Sequence, residues 1–352
     1  MLPEEFYKGR ARAYTAIAIV AILLIGTFGV LTYTGRLDAW ALLGPHVQRS
    51  EWAFIMTGAR DLNAQGLTGK GVNVCIVDSG IDPLHPDFAH AHIWAWRDFV
   101  NSRPEPYDDR GHGTRMASII AGSGSLRGMA SGVSLIIAKV TDVNGEGRSQ
   151  DVADGIRFCV DPWGDGRHGA DIINLSLGSK ARLFVESKVY DAVDWATAQG
   201  VIVVAAAGND GLSDDGDVEL PAAVPLAIAV GAVDVDGHRA PFSSIGSNTN
   251  RTDPNRKPEV VAPGVRIISS SPGARYLTVS GTSPATAIAA GILALILEAK
   301  PMLRPGGGVQ GNVAIIKQAI DLGARQVPGQ LLPHDPWYGY GIINGPATLA
   351  AL

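Results

Sequence analysis

The sequence predicts an α/β fold, with a doubly wound, mostly parallel sheet, helices on both faces and one N-terminal transmembrane helix before it. From Trp52 onward, short apolar runs alternate with helical patterns, which is typical of a parallel sheet covered on both faces. The chain has 352 residues, of which 46% are hydrophobic and 18% charged, enough for one large core or two small ones. No charged residue lies between Arg12 and Arg36, which predicts the membrane span.

The uncharged stretch is long enough to cross a bilayer. Residues 14–33 are mostly apolar, and about 20 residues at about 1.5 Å each span the hydrocarbon core. Tyr14 and Tyr33 would lie at the two interfaces. A cleaved signal peptide is the alternative, but its apolar region is shorter and an Ala-x-Ala arrangement follows it. Residues 34–38 contain no such arrangement, so we expect a retained anchor.

Positive charges around the span predict its orientation. Lys8, Arg10 and Arg12 precede it, and only Arg36 and Arg49 follow it closely. The positive-inside rule then places the amino terminus in the cytoplasm and the bulk of the chain outside. The expected organisation is a cytoplasmic tail (1–13), a single transmembrane helix (14–35), a linker (36–51) and a globular domain (52–352).

Net charge and cysteine content exclude two classes of protein. A formal net charge of −5 gives no basic surface for nucleic acid, so we expect no nucleic-acid partner. Two cysteines are too few for a disulfide scaffold. Cys75 lies in an apolar strand and Cys159 in a helical pattern, and we expect two buried free thiols. A bond between them is the less favoured alternative, because sequence alone cannot supply the required Cα separation.

In chain order, apolar runs predict five strands and helical patterns predict five helices. Lys300-Pro301 ends the fourth helix, because proline cannot continue a helix and restrains the residue before it. The predicted strands are 72–77, 133–140, 171–177, 201–207 and 226–233, and the predicted helices are 112–121, 149–160, 182–199, 283–299 and 312–322.

Ser283 stands where a turn meets the most apolar of these helices. The run 287–299 has no polar face, and such a helix is normally buried. A serine at this junction can simply cap the helix, accepting a hydrogen bond from an N–H of the first turn. Two other segments, however, carry the general base and the orienting carboxylate that a nucleophilic serine requires.

The carboxylate is Asp78, at the carboxyl end of the apolar run 72–77, where open α/β sheets place their sites. The base is His112, which alone among the eight histidines lies between glycines at the start of a predicted helix. In the order Asp78, His112, Ser283, the three segments resemble the subtilisin-like serine proteases, or subtilases. The resemblance covers roughly residues 52–352.

This resemblance implies a serine endopeptidase that acts on polypeptides, and the predicted transmembrane helix would anchor it with its catalytic domain outside the cytoplasm. Ser283 would attack the peptide carbonyl, His112 would accept its proton, and Asp78 would hold the imidazole. Two alternatives stay open. One is a catalytically silent pseudoprotease that binds peptides, against which the presence of all three triad residues argues. The other is a serine esterase or acyl transferase, which a comparison of peptide and ester hydrolysis would separate.

The resemblance also assigns the residues around the scissile bond. In Ala206-Ala207-Gly208-Asn209, Asn209 would donate to the oxyanion, although a simple turn also explains Asn and Gly there. An extended peptide would pair with two edges, of which Gly145-Glu146-Gly147 fits a surface turn equally well. The expected substrate-binding residues are Ser176, Leu177, Gly178, Gly145, Gly147, Ala207, Gly208 and Glu219.

Glu219 is the candidate for side-chain selectivity. By resemblance it falls near the floor of the pocket for the side chain just before the scissile bond. A carboxylate there would favour Lys or Arg and disfavour apolar groups. A solvated acidic loop is the simpler explanation for residues 214–219, and on sequence alone we favour it.

The chain departs from the family pattern in three places. Pro284 and Ala287 replace the usual methionine and proline after the serine, and proline is tolerated at a first helical position. The roughly 20–30 residues before the domain are too few for a folded propeptide. Asp87 resembles a calcium-binding aspartate, but the segment 122–128 offers no carboxylate and calcium needs several oxygen ligands. We therefore expect no metal and no cofactor.

Overall fold

The computed structural model describes residues 50–178, 187–213, 216–247, 251–309 and 311–352. The predicted tail, the predicted transmembrane helix and residues 36–49 of the predicted linker lie outside the described residues. So do Asp214, Asp215 and the first five residues (182–186) of the third predicted helix. The first described helix begins at Glu51.

A seven-stranded sheet, parallel throughout, forms the centre of the domain, with spatial order β2-β3-β1-β4-β5-β6-β7. A separate antiparallel hairpin, β8-β9, lies outside it. The strands are β1 Asn73–Asp78, β2 His92–Asp98, β3 Ser134–Lys139, β4 Ile172–Leu175, β5 Ile202–Ala206, β6 Ile228–Val233, β7 Val260–Pro263, β8 Ile267–Ser271 and β9 Arg275–Val279.

Helices cover both faces of the sheet. Eight α-helices occur among the described residues, and short 3₁₀ turns lie at Pro86–Phe88 and Pro301–Leu303. The helices are α1 Glu51–Thr57, α2 Ala59–Ala64, α3 His112–Ala121, α4 Ser149–Val160, α5 Ser187–Ala198, α6 Thr282–Ala299, α7 Asn312–Gly323 and α8 Gly345–Ala350.

Alternating side chains of each strand face two separate cores. In β1, Val74 and Ile76 pack into a core with α3 and α6, whereas Cys75 and Val77 pack into one with α4 and α5. A strand buried on both faces explains why the runs in the sequence are continuously apolar rather than alternating. The predicted doubly wound α/β domain is therefore confirmed.

All five predicted strands and all five predicted helices are present, with shifts of one or two residues at most ends. The elements missed carry weaker patterns. Edge strand β2 is half exposed and reads His-Ile-Trp-Ala-Trp-Arg-Asp, in which an apolar run of only four residues lies between polar ends. Strand β7 has only 4 residues, and β8 contains three serines.

The cysteine prediction is wrong. Cys75 on β1 and Cys159 on α4 form a disulfide, with their Cα atoms 5.7 Å apart. Both side chains are fully buried in the core that β1 forms with α4 and α5. The register of β1 against α4 brings them together, and that long-range register is what the sequence could not supply.

Among the described residues, α6 is long and apolar enough to pass as a membrane span, but 83% of it is buried inside the domain. Its continuous apolar surface contacts β4, β5, β6, β7 and α3. The prediction that this helix would be buried is confirmed, and its composition reflects its central place in the core.

Candidate active site

Asp78 and His112 form a hydrogen-bonded pair at the carboxyl edge of the sheet. Asp78 ends β1, and His112 is the first residue of α3. The His112 Nδ1 atom lies 2.8 Å from both carboxylate oxygens of Asp78. The Asp78 side chain is 4% exposed and that of His112 is 24% exposed. A buried carboxylate thus holds an imidazole whose other nitrogen remains accessible.

Two glycines allow this close approach. A Cβ atom on Gly80 would lie 2.0 Å from the carbonyl oxygen of Tyr107, and one on Gly113 would lie 2.1 Å from that of Gly80. Gly80 also has a φ of +117°, a conformation that side chains rarely adopt. Helix α3 therefore starts directly against the turn after Asp78, and only glycine fits at this contact.

Asp108 holds the start of α3, because the N-cap Gly111 has no side chain with which to cap it. The Asp108 carboxylate accepts hydrogen bonds from Gly111 N, Thr114 N, Thr114 Oγ1 and Ser79 Oγ at 2.6–2.9 Å. Burial raises the pKa of Asp108, but these hydrogen bonds outweigh it, so the pKa is below its ordinary value. The ionised carboxylate thus ties the histidine helix to the turn after Asp78.

Lys139, at the end of β3, connects the turn after Asp78 with the segment before α3. Its side chain is fully buried, and its Nζ donates to Ser79 O, Asp109 Oδ1 and Thr141 O at 2.7–2.9 Å. A buried ammonium needs such a full set of acceptors. Neither Lys139 nor Asp108 could be predicted as part of this site from sequence, because Asp108 lies four residues before the first helical residue and so outside the N-cap position where a capping carboxylate is recognisable.

Ser283 lies in the first turn of α6, but it does not cap the helix. The helix begins at Thr282, the N-cap is Gly281, and no side chain caps it. Pro284 is therefore the third helical residue, whereas the sequence predicted that it would be the first. The first four N–H groups of a helix have no partner within it, so proline is still tolerated there.

The Ser283 hydroxyl donates to the carbonyl oxygen of Ser176 at 3.1 Å. In return, Ser176 Oγ donates to the Ser283 carbonyl oxygen at 3.1 Å and accepts from Asn174 Nδ2 at 2.9 Å. Asn174 had no role assignable from sequence. Here it positions Ser176, the residue that ties the segment after β4 to the first turn of α6.

Asn209 is oriented by Thr282. The backbone N–H of Thr282 donates to Asn209 Oδ1 at 2.9 Å, and Thr282 Oγ1 lies 3.2 Å from the same oxygen. Thr282 Oγ1 also lies within 3.3 Å of the backbone N and O of Gly208. With its oxygen engaged as an acceptor, Asn209 presents its Nδ2 as a donor in the opposite direction.

The two expected substrate edges flank the Asp78 strand. Ser176, Leu177 and Gly178 follow β4, and the segment 145–147 follows β3, while β1 lies between β3 and β4. The segment 145–147 is itself part of a turn, in which Asp142 N donates to Glu146 O at 2.9 Å. The turn and the cleft edge are thus compatible interpretations of one segment.

Glu219 packs against two of the expected substrate-binding glycines. A Cβ atom on Gly178 would lie 2.4 Å from Glu219 Oε2, and one on Gly208 would lie 2.7 Å from Glu219 Cδ. The Glu219 N–H donates to Ala207 O at 2.8 Å. The side chain is half-buried between these segments rather than extended into solvent.

Asp87, the aspartate that resembles a calcium ligand, is engaged in hydrogen bonds within the domain. It is fully buried, and its carboxylate accepts hydrogen bonds from Leu126 N at 3.2 Å and Ser270 Oγ at 2.5 Å. Tyr276 OH lies 3.4 Å from the same group. These contacts fix the segment 122–128 and the β8-β9 hairpin around Asp87.

Comparison with known proteins identifies the family. The model of the subtilase family matches residues 69–339. Serine protease AprX of Bacillus subtilis (strain 168) is 39% identical over 273 residues, which are 69% of this chain and 60% of that protein. Subtilisin Savinase of Lederbergia lenta is 34% identical over 304 residues, 86% of this chain and 99% of that protein.

Subtilisin NAT of Bacillus subtilis subsp. natto is 39% identical over 245 residues, 68% of this chain and 59% of that protein. The matched region thus spans about three fifths of the length of AprX and of subtilisin NAT, and nearly all of Savinase. With a family model covering more than half of its residues, this chain belongs to the subtilase family of serine proteases.

Proposed function

We propose that this chain is a membrane-anchored serine endopeptidase with Asp78, His112 and Ser283 as its catalytic triad. The observation that carries the proposal is the Asp78–His112 pair, joined at 2.8 Å at the carboxyl edge of a parallel sheet. Such an edge is where open α/β folds place their sites. Family membership supports the reaction class, and the Asp78–His112 contact supports this choice of residues.

His112 would act as the general base. Its Nδ1 faces Asp78, so the neutral imidazole would carry its proton there and leave Nε2 to accept one from Ser283. The Ser283 hydroxyl, which donates to Ser176 O, would first have to rotate towards Nε2. Asp78 would keep the tautomer fixed and stabilise the imidazolium.

In the acylation step, the bond from Ser283 Oγ to the peptide carbonyl carbon forms and the C–N bond breaks. The proton taken up by His112 leaves on the departing amine. A water molecule then attacks the acyl carbon and gives a proton to His112. The ester bond to Ser283 Oγ breaks, His112 returns that proton to Ser283 Oγ, and the carboxylic acid product departs. The two half-reactions consume one water and regenerate the triad.

The developing oxyanion would be bound by the Ser283 N–H and by Asn209 Nδ2. Ser283 lies in the first turn of an 18-residue helix, whose amino-terminal N–H groups and dipole favour negative charge. The contacts with Thr282 fix the Asn209 amide before substrate arrives. Such pre-set donors are the largest single contribution in many acyl-transfer enzymes.

An extended polypeptide would lie between the Gly145–Gly147 and Ser176–Gly178 segments, held mainly by main-chain hydrogen bonds. The side chain just before the scissile bond would enter the space bounded by Gly178, Gly208 and Glu219. We propose that Glu219 makes this pocket selective for Lys or Arg, because its side chain fills the gap that both glycines leave.

Labelling with a fluorophosphonate probe tests the nucleophile. The wild-type protein should be labelled, Ser283→Ala should not, and Ser280→Ala should be labelled normally, because Ser280 lies three residues away and is exposed. Hydrolysis of matched peptide and ester substrates is then measured with the same proteins. Labelling of Ser283→Ala, or ester hydrolysis without peptide hydrolysis, would contradict the proposal.

His112→Ala and Ser283→Ala should each lower peptide turnover about 10⁶-fold, with no further loss in the double variant, because a triad acts as a unit. That magnitude is taken from the family rather than derived from this chain. His92→Ala, which removes an exposed histidine bonded to Ser134, is the matched control and should retain activity.

We also propose that residues 14–35 anchor the protein, with the amino terminus in the cytoplasm and the peptidase domain outside. The support is the absence of charge between Arg12 and Arg36 and the excess of positive charge before the span. The full-length protein should stay with membranes after carbonate extraction, and protease added to spheroplasts should digest the domain. A mature chain beginning after about residue 35 would establish a cleaved signal peptide instead.

A further inference from the structure

Arg110 projects over the proposed substrate cleft, two residues before His112. A Cβ atom on Gly145 would lie 0.7 Å from Arg110 Nη1 and 1.9 Å from its Cζ. The guanidinium therefore occupies the space that the absent side chain of Gly145 leaves open. Gly145 also has a φ of +87°, so two constraints favour glycine at this edge.

Arg110 is exposed at the proposed cleft. Its guanidinium forms no ion pair or hydrogen bond with any residue in the described ranges. Its backbone N–H donates to Asp108 Oδ1 at 3.2 Å. Nearby, burial lowers the pKa of Arg115, and the charge of Arg110 lowers it further. The Arg115 guanidinium lies within the electrostatic range of Asp108 and Asp78 as well, whereas no described carboxylate is paired with Arg110.

The direction of a bound peptide decides which side chain would meet this group. Side chains of an extended strand alternate between its two faces. If the residue just before the scissile bond enters the Gly178–Gly208–Glu219 pocket, the residue before that one faces away from the pocket. Arg110, which is exposed and lies over Gly145 at one edge of the proposed cleft, is a cation that this side chain could meet.

We propose that Arg110 selects substrates with a carboxylate side chain, Asp or Glu, two residues before the scissile bond. The planar guanidinium can form two parallel hydrogen bonds to one carboxylate. The inference rests on the proposed endopeptidase function and adds a second charge requirement to it. Together with Glu219, it describes a substrate that carries an acidic residue followed by a basic one before the cleaved bond.

Fluorogenic peptides that differ only at this position, with Glu, Gln or Lys there, test the proposal. For wild type, kcat/KM for the Glu peptide should exceed that for the Gln peptide about fivefold at low salt, which is ~1 kcal/mol. The ratio should fall towards one in about 1 M salt, where the Debye length is only about 3 Å. The Lys peptide should be the poorest of the three.

Variants at Arg110 and one control complete the experiment. Arg110→Gln should bring the Glu/Gln ratio to about one, Arg110→Lys should give an intermediate ratio, and Arg110→Glu should favour the Lys peptide. Lys70→Gln removes an equal charge at the opposite end of β1, where Lys70 is exposed, and should keep the wild-type ratio.

The outcomes separate this inference from the proposed function. Ser283-dependent cleavage of the Gln peptide without a preference for Glu, or a preference that survives in Arg110→Gln, would overturn the role of Arg110 alone. Absence of Ser283-dependent cleavage for every peptide would overturn both. A Glu preference that disappears equally in Lys70→Gln would assign the effect to the overall field of the protein, and would also overturn the local role.

Discussion

At the residue scale, the proposed oxyanion hole depends on a hydrogen bond that the reaction itself does not use. Thr282 N donates to Asn209 Oδ1 at 2.9 Å, which fixes the amide so that Nδ2 points away from Thr282. An amide held in advance needs no reorganisation when charge develops on the substrate, and this is the basis of its effect on the rate.

Asn209→Ala should therefore lower kcat about 10²–10³-fold with little change in KM, a range that comes from the family. Asn209→Asp keeps the size of the side chain but replaces the donor by a negative charge, and should be at least as impaired. Steady-state kinetics on one peptide series measures both. An effect confined to KM would place Asn209 outside the oxyanion hole.

Glu219 presents a second question at the same scale, that of side-chain preference. If its carboxylate forms the pocket floor, peptides with Arg or Lys before the scissile bond should exceed those with Leu or Phe at least tenfold in kcat/KM, or about 1.4 kcal/mol. Glu219→Gln should remove most of that preference. Asp236→Asn, which neutralises an exposed turn after β6, should leave it intact, and a wild-type preference for Leu or Phe would refute the assignment.

The positions of these residues could be predicted to different degrees. Asp78, His112 and Ser283 each stand at a glycine-marked junction of a strand or helix, so their places at β1, α3 and α6 could be predicted from sequence, and their catalytic roles stay a proposal. Glu219 could not be placed, because whether a loop carboxylate is solvated depends on the neighbours to which it folds back. The role proposed for Arg110 could not be predicted for a related reason, since it depends on the contact of its guanidinium with Gly145.

At the scale of elements, the strands that were predicted are those buried on both faces. Strands β1, β3, β4, β5 and β6 are continuous apolar runs because helices cover them on each side. Strand β7 escaped prediction because only 4 residues lie in it and prolines stand close to both ends. The pairing of Cys75 with Cys159 escaped for a different reason, because it depends on how α4 packs on β1.

The disulfide leads to a prediction for these elements. It joins positions 84 residues apart in sequence, and closing a loop of that length should stabilise the fold by about 2–4 kcal/mol. Cys75→Ala/Cys159→Ala should lower the free energy of unfolding by that amount in urea titrations. The protein with the disulfide and the double-alanine variant should both carry Ser283→Ala, so that self-digestion does not compete with unfolding.

Thiol titration of the denatured protein provides the direct control. The bonded form has no reactive thiol before reduction and two after it, whereas the free thiols expected from sequence would react without reductant. Two reactive thiols in the freshly purified, unreduced protein would contradict the bond.

At the scale of the whole molecule, a buried cluster of charged side chains links two strands and a helix in the second half of the domain. Glu259, just before β7, accepts hydrogen bonds from Lys257 and Lys317 at 2.7–2.8 Å and from Ala229 N at 2.6 Å. Neither lysine side chain is exposed. Strands β6 and β7 and helix α7 are thus held by ions that must all be paired, because an unpaired buried charge is strongly destabilising.

Asp321 lies on α7 one turn after Lys317 and completes this cluster. Its Oδ1 atom is buried and accepts no hydrogen bond from the described residues. Burial, and next the charge of Glu259, raise the pKa of Asp321 to about 8. Near neutral pH the folded protein therefore holds a proton on this carboxyl that the unfolded chain, with a pKa of about 3.9, has released.

This difference predicts how stability changes with pH. Between about pH 4 and pH 8 the folded state binds more protons at Asp321 than the unfolded state, so its contribution to stability falls as pH rises, by at most about 1.4 kcal/mol per pH unit. Asp321→Asn cannot ionise. Its free energy of unfolding relative to wild type should therefore increase from pH 5 to pH 8 and level off above pH 8.

Urea unfolding from pH 5 to pH 9, with Ser283→Ala in every protein, measures this difference. Asp236→Asn, at an exposed carboxylate, is the control and should show a flat difference over the same range. Burial also lowers the pKa of Lys257, to about 7, and the difference between the two proteins therefore reports Asp321 together with its electrostatic interaction with Lys257. A flat difference for Asp321→Asn would mean that Asp321 is ionised in the folded protein throughout, and that water or a cation balances its charge.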